Sequence, residues 1–403
     1  MRGLSNIEAA AVEACRDAPL LEQVESWAAV NSGSRNLDGL AAMAGIYADA
    51  FATLPGALAL LDPDPVEAMD ADGRLHALPH GRNLHLAVRP GAPVQLLFTG
   101  HMDTVYGADH PFQTCAWREP GVLGGPGVAD MKGGIAVLLA ALKAVEASSA
   151  AERLGYEVVI NSDEEVGSPG SAALIVRAAR GKRAALTYEP AALPDGTLAG
   201  GRPGSGNFSI LVQGRSAHAG RNPEEGRNAL LAAADLALRL DKAKGPRLSV
   251  NPARIEGGGP NNVVPDRAVL RVNMRPATAE DQKRAQAHLD SAVAMVAAER
   301  DVRIHVHGGF ARPPKPLDRA AEALFDLVAR CGADLGQTIG WQPSGGVCDG
   351  NNIAACGVPV VDTMGVRGGA IHSMEEYLIV DSLLERAQLS ALAILRLGSG
   401  DGW

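Results

Sequence analysis

Apolar residues recur along this chain at helical and at strand spacing, and the change from one to the other predicts its elements. Leu20 to Ala29 is helical in pattern. A second helix carries Leu40, Met43, Tyr47, Phe51 and Leu54 at helical spacing, capped by Asn36 and stopped by Pro55-Gly56. Residues Leu61 to Gly81 are rich in Asp, Pro and Gly and read as loop and strand fragments. Val94 to Phe98 is a short apolar run that predicts a buried strand. A glycine-dense loop, Gly121 to Gly134, then enters a helix with Ile135, Leu138, Leu139, Leu142 and Val145 on one face. Tyr156 to Asn161 and Ala184 to Tyr188 predict two more strands, with helical segments between them. Such alternation is the βαβ pattern of a mainly parallel sheet.

The pattern changes after Gly200. Asn207 to Gln213 alternates through Phe208, Ile210 and Val212, and Gly226 to Leu240 is amphipathic. Val263 to Arg275 alternates through Ala268, Leu270, Val272 and Met274. A helix over Glu280 to Glu299 then precedes a strand with Val302, Ile304 and Val306 inward. Two strand–helix–strand units of this kind predict a small α+β sandwich of ferredoxin-like type, inserted into the first domain. Pro313-Pro-Lys-Pro316 reads as the return linker, followed by a helix near Leu317 to Cys331, a turn at Ser344-Gly-Gly346, a strand from Val358 to Thr363 and a helix from Glu375. The expected division is 1–202 and 313–403 for an α/β domain with a mainly parallel mixed sheet flanked by helices, and 203–312 for the insertion.

Composition narrows the class. At 403 residues, with 46% hydrophobic and 21% charged positions, the chain is globular and long enough for two cores. A net charge of -9 with no Lys/Arg-rich run argues against nucleic acid, and no apolar stretch approaches a membrane span. The first residues carry acid where a signal peptide would need its apolar region. Five scattered cysteines suit reduced thiols. A cytoplasmic protein acting on a small molecule is the expectation.

The chemistry gathers at strand ends. His101 and Asp103 follow the first strand two residues apart, so their side chains share a face of extended backbone. Asp130 lies in the glycine-dense loop just before a helix, and the next strands end in Glu164-Glu165 and Glu189. With His372 these residues form a nitrogen and carboxylate donor set without thiolate, which suits zinc, and also cobalt or manganese. Two metals about 3.5–4 Å apart can share one carboxylate and one water in hydrolysis. Asp130 is the best bridge, and Asp103 is expected to fix the His101 tautomer from behind. Adjacent Glu164 and Glu165 cannot both reach one metal from a regular strand. Glu165 is assigned as ligand and Glu164 as the free general base.

Gly100-His-Met-Asp-Thr-Val105, Gly125 to Gly134, Asp163-Glu-Glu-Val-Gly167, Glu189-Pro190, Gly214-Arg-Ser-Ala-His-Ala-Gly220 and Ile371-His-Ser373 resemble the signature blocks of one family. It is the co-catalytic zinc family of glutamate carboxypeptidase, acetylornithine deacetylase, succinyl-diaminopimelate desuccinylase and aminoacylase, and Met102, Tyr106 and Pro126 to Asp130 resemble the glutamate carboxypeptidase branch. The resemblance implies a zinc exopeptidase-like fold and two zinc ions bridged by Asp130, one held by His101 and Glu189, the other by Glu165 and His372. It also implies a homodimer formed through the insertion, with His218 reaching across to polarise the scissile carbonyl. Asn262 and Arg275 would hold the substrate carboxylate, a role that suits the arginine fork. Arg367 and the Ser344 to Asp349 segment depart from the family wording beside the expected pocket, so Arg367 is a candidate substrate contact of this chain's own.

Simpler readings exist for each residue alone. His101 would be a core histidine, Asp130 a helix cap, Glu164-Glu165 a solvated turn, and Cys348 a packed thiol rather than a nucleophile. The residues together favour a dinuclear zinc hydrolase, first a glutamate-carboxypeptidase-like exopeptidase and next an N-acyl amino acid deacylase. A non-catalytic binder of metal or amino-acid conjugates is the rival from another class, and the free Glu164 speaks against it.

Overall fold

A computed structural model describes residues 3–400. Before the insertion lie strands β1 (Ala57–Leu61), β2 (Asn83–Val88), β3 (Val94–His101), β4 (Leu154–Asn161) and β5 (Ala184–Thr187), with helices α1 (Asn6–Ala14), α2 (Leu20–Ala28), α3 (Leu37–Phe51), α4 (Gly133–Glu146) and α5 (Ala172–Ala179). The insertion contributes β6 (Ser205–Gln213), α6 (Ala229–Asp241), β7 (Leu248–Gly257), β8 (Arg267–Pro276), α7 (Ala279–Arg300) and β9 (Arg303–Arg312). Helices α8 (Arg319–Asp334) and α9 (Asp349–Ala354), strand β10 (Val360–Val361) and helix α10 (Asp381–Ser399) follow.

The larger sheet has the order β1-β2-β4-β3-β5-β10. Strand β3 runs parallel to both β4 and β5, and β10 runs parallel to β5, while β1 and β2 form an antiparallel edge. Leu96, Leu97 and Phe98 are all buried because both faces of the sheet are covered, so β3 reads as a continuous apolar run. Helix α4, expected to have one apolar face, is buried almost all round. It lies between the sheet and α10, a position that requires apolar residues on every side. Gly134 is needed there, since a Cβ would stand 2.0 Å from the carbonyl oxygen of Tyr188.

The insertion folds as βαββαβ, with the antiparallel order β7-β8-β6-β9. Helices α6 and α7 cover one face over a separate apolar core that includes Ile210, Leu236, Leu270 and Leu289. The opposite face carries Asn207, Asn273 and Arg275. Part of that face is covered by a hairpin of the larger domain (Glu67–Met69 and Leu75–Ala77), whose Met69 packs on Leu211 and Val269. Where the chain crosses between the domains, the backbones of Arg202 and Lys315 pair, and both side chains donate to Asp362 at 2.8 and 2.9 Å.

One strand went unread and one expectation is corrected. Strand β7 lacks a clear alternation because it is an exposed edge, and its pattern gave no signal. The last helix begins at Asp381 rather than Glu375, because Tyr377–Ile379 pairs as a strand with Val122–Gly124. No helix among the described residues is long and apolar enough to cross a membrane.

Candidate functional site

Strands β3, β4 and β5 deliver their acids and imidazole to one edge, as parallel order requires. His101, the last residue of β3, is buried, and its Nδ1 donates to the carbonyl oxygen of Asp103 at 2.9 Å. That contact fixes the tautomer and leaves Nε2 facing Asp130 Oδ1 at 3.0 Å and Glu189 Oε2 at 3.8 Å. The expected tautomer-fixing partner was the Asp103 carboxylate, which lies 3.3 Å from Nδ1. That carboxylate instead accepts from Ser34 Oγ at 2.7 Å and from the amides of Glu164 and Glu165, both at 3.1 Å. Asp103 therefore organises the turn that carries the two glutamates.

Asp130 is buried between two imidazoles. Its Oδ1 faces His101, and its Oδ2 lies 3.4 Å from His372 Nε2, which is also 3.1 Å from Glu165 Oε2. The loop that carries His372 holds Ala370 and His372 in left-handed backbone, φ 53° and 63°, a costly conformation that aims the ring at the acids. Donor atoms of His101, Asp130 and Glu165 lie within 4.8 Å of one another, as do those of His101, Glu164 and Glu189.

Electrostatics fit a cation. Burial, then the charge of Asp130, push Glu165 up to about 7 against its hydrogen bond with His372. Burial and Asp130 also raise Glu189, and burial above all raises Glu164. Hydrogen bonds with Asp130 and Glu165 lift His372 to about 11. Burial opposes the charge on Asp130, but His101 and His372 hold its carboxyl below the usual range. Too many buried carboxylates share too little positive charge, and divalent ions would relieve that imbalance. The nitrogen and oxygen donor set suits zinc, cobalt or manganese.

Sequence reasoning missed three supports. Glu376, near the end of the His372 loop, accepts from the amides of Gly127, Ala129 and Asp130 and from Tyr106 Oη, and so fixes the loop holding Asp130. Lys132 is buried and donates to the carbonyls of Trp27 and Val30. Arg312 is buried with Nη2 2.7 Å from Glu164 Oε1. No short motif announces Glu376 or Arg312, although Glu376 stands four residues after His372, and Lys132 lies inside the Gly125 to Gly134 block.

A cavity of about 550 Å³ opens between the acids and the insertion. Glu164, Glu165 and His372 line one side, and Asn207, Asn273 and Arg275 the other. Arg275 donates to Asn273 Oδ1 at 3.2 Å and to the carbonyl of Gly345 at 3.0 Å. His218 and Asn262 sit together elsewhere in the insertion, joined by the Ala219 amide to the Asn262 carbonyl, and do not line this cavity. His218 Nδ1 accepts from the amides of Gly220 and Arg221, which leaves Nε2 to carry the proton. Arg367 is not brought to the cavity. It donates to Glu385 Oε2 at 3.0 Å and to the Pro194 carbonyl at 2.9 Å, tying α10 to a loop. Cys348 is a buried thiol that donates to Asp362.

The model of peptidase family M20/M25/M40 matches residues 97–396. Carboxypeptidase G2 of Pseudomonas sp. (strain RS-16) is 33% identical over 331 residues, covering 79% of this chain and 78% of that protein. Succinyl-diaminopimelate desuccinylase of Psychrobacter arcticus is 28% identical over 317 residues, 73% of this chain and 76% of that one. Among solved structures, a metallo-carboxypeptidase of the M20 family from Sulfolobus solfataricus superposes with a TM-score of 0.71 at 16% identity, covering 94% of this chain and 99% of that one. A tripeptidase from Staphylococcus aureus subsp. aureus mu50 gives 0.72 at 22% identity, covering 94% and 98%.

Proposed function

Because this chain belongs to peptidase family M20/M25/M40 and is a metal-dependent hydrolase, we propose that it cleaves the amide or peptide bond of a small N-acyl amino acid or dipeptide-like molecule with a free carboxylate. The observation that carries this reading is Asp130, whose two oxygens face two separate donor sets with Glu164 standing beside them. His101 and Glu189 would hold one zinc ion, and Glu165 and His372 the other. When bound, such ions polarise a carbonyl and acidify water.

The chain's own groups do the rest. Glu164 takes a proton from the attacking water and delivers it to the leaving nitrogen. Asp103 keeps Glu164 and Glu165 in register through their amides. Arg275, on the far wall of the cavity, meets the substrate carboxylate. His218 and Asn262, too far along the insertion to line the cavity, act from the partner subunit of a homodimer. There the Nε2 proton of His218 meets the developing oxyanion.

A glutamate-type carboxypeptidase is the first reading, supported by the likeness to carboxypeptidase G2. Deacylation of an N-acyl amino acid is the second, supported by the likeness to the desuccinylases. Metal analysis together with turnover of acyl-glutamates against N-succinyl and N-acetyl diamino acids tests both. Glu164→Gln should keep its metal and lose turnover, and unchanged turnover would end the assignment of the base. A His218→Ala chain mixed with a metal-site variant should regain activity if the histidine acts across the dimer.

A further inference from the structure

Glu164 and Glu165 are adjacent carboxylates on one 3-10 turn, and both are within reach of the donor cluster. The donor atoms of Glu164, His101 and Glu189 lie within 4.8 Å of one another, so distance alone qualifies Glu164 as a ligand as fully as Glu165. Backbone position does not separate their roles. Their neighbours do.

Glu165 Oε2 faces the His372 imidazole at 3.1 Å, whereas Glu164 Oε1 lies 2.7 Å from the guanidinium of Arg312. The latter is a charge contact without hydrogen-bond alignment, and among the described residues Oε1 has no other protein donor. Arg312 itself is pinned. Its Nη1 donates to the Val347 carbonyl at 3.2 Å, and its Nη2 to the Glu164 carbonyl at 3.0 Å, Ser168 Oγ at 2.9 Å and Asp349 Oδ1 at 3.4 Å. Its side chain is 5% exposed. A guanidinium is a permanent cation, so at this distance it competes with any metal ion for the same oxygen and repels an ion approaching it.

We propose that Arg312 is a positioning residue that withholds Glu164 from the metal centre, so that one of two equally placed carboxylates stays uncoordinated and available for proton transfer. Arg312 is also the last residue of β9, where the chain leaves the insertion, so the hold on Glu164 is built into the crossing between the domains. The inference rests on reading the acidic cluster as a metal centre.

The test is a double-mutant cycle on the full chain, with zinc affinity read by competition against a chelator. In the native background Glu164→Gln should change zinc affinity less than about threefold, because Glu164 is no ligand there. In an Arg312→Met background the same change should lower it by about tenfold or more, within the range by which supporting residues tune metal affinity. Cobalt-substituted Arg312→Met should show a weaker visible band than the native protein, as expected for an added ligand, and Arg312→Lys should retain the native spectrum. Should Arg312→Met fail to fold, Arg312→Gln, which keeps donors and loses the charge, takes its place in the cycle. Equal effects of Glu164→Gln in both backgrounds overturn the proposal, as does a tenfold loss already in the native one. A native protein that binds no zinc defeats the reading of the metal centre itself, an outcome distinct from a flat cycle in a protein that does bind it.

Discussion

The inserted sheet buries an apolar core under α6 and α7, whereas the larger domain buries Asp103, Glu164 and Glu189 beyond its strand ends and Asp130 in the loop before α4. In that apolar core each side chain adds area removed from water, and folding alone satisfies it. At the site, burial opposes the charge of every acid, and imidazoles with the guanidiniums of Arg312 and Arg202 answer it in part. Stability is concentrated in one region and given up in the other, as expected where a binding centre is held ready.

Four experiments sharpen or break that contrast. The largest effect should come from Glu164→Gln, with turnover falling by about 10²- to 10⁴-fold while metal content and melting temperature hold, read by steady-state kinetics and metal analysis. If the melting temperature drops as well, Glu164 belongs to the structural side of the comparison. Leu289→Ala in the insertion should do the reverse, costing about 2–5 kcal/mol in denaturant unfolding through lost burial and a cavity, with zinc stoichiometry of the folded fraction unchanged.

The third concerns pH. In the metal-free protein, Glu165 is raised to about 7 and His372 to about 11, so the folded chain holds protons that the unfolded chain releases earlier. Stability should therefore decline as pH rises from the ordinary glutamate value through about 7, by at most about 3 kcal/mol from Glu165. Saturating zinc should flatten the slope, and a metal-free melting temperature that rises between pH 5 and 8 would reverse the sign. The smallest effect belongs to Thr278→Ala. Thr278 caps α7 by accepting from the Asp281 amide at 3.2 Å, and its loss should cost about 1 kcal/mol without touching turnover.

The proposed ligand set could be picked out of the sequence because each member sits beside a strong local signal. His101 ends an apolar run, Asp130 stands among glycines, and Glu165 and Glu189 follow strands. Glu376 and Arg312 gave no such signal, since an acid that accepts amides and a cation beside an acid look like any surface charge in one dimension. Arg367 shows the converse. Its place near His372 in the chain suggested a substrate contact, yet the fold turns it to Glu385.

The sequence by itself determined the alternation of strands and helices, the change of pattern after Gly200 and the kinds of side chain at the strand ends, because hydrophobic period and residue chemistry are local properties. Only the tertiary structure decided which oxygen of Asp130 meets which imidazole, that Asp103 serves the glutamate turn more than the histidine, and that Arg312 stands against Glu164. Those outcomes depend on side chains that are dozens to hundreds of residues apart and meet only when parallel strand order and the crossing to the insertion bring them within a few ångströms.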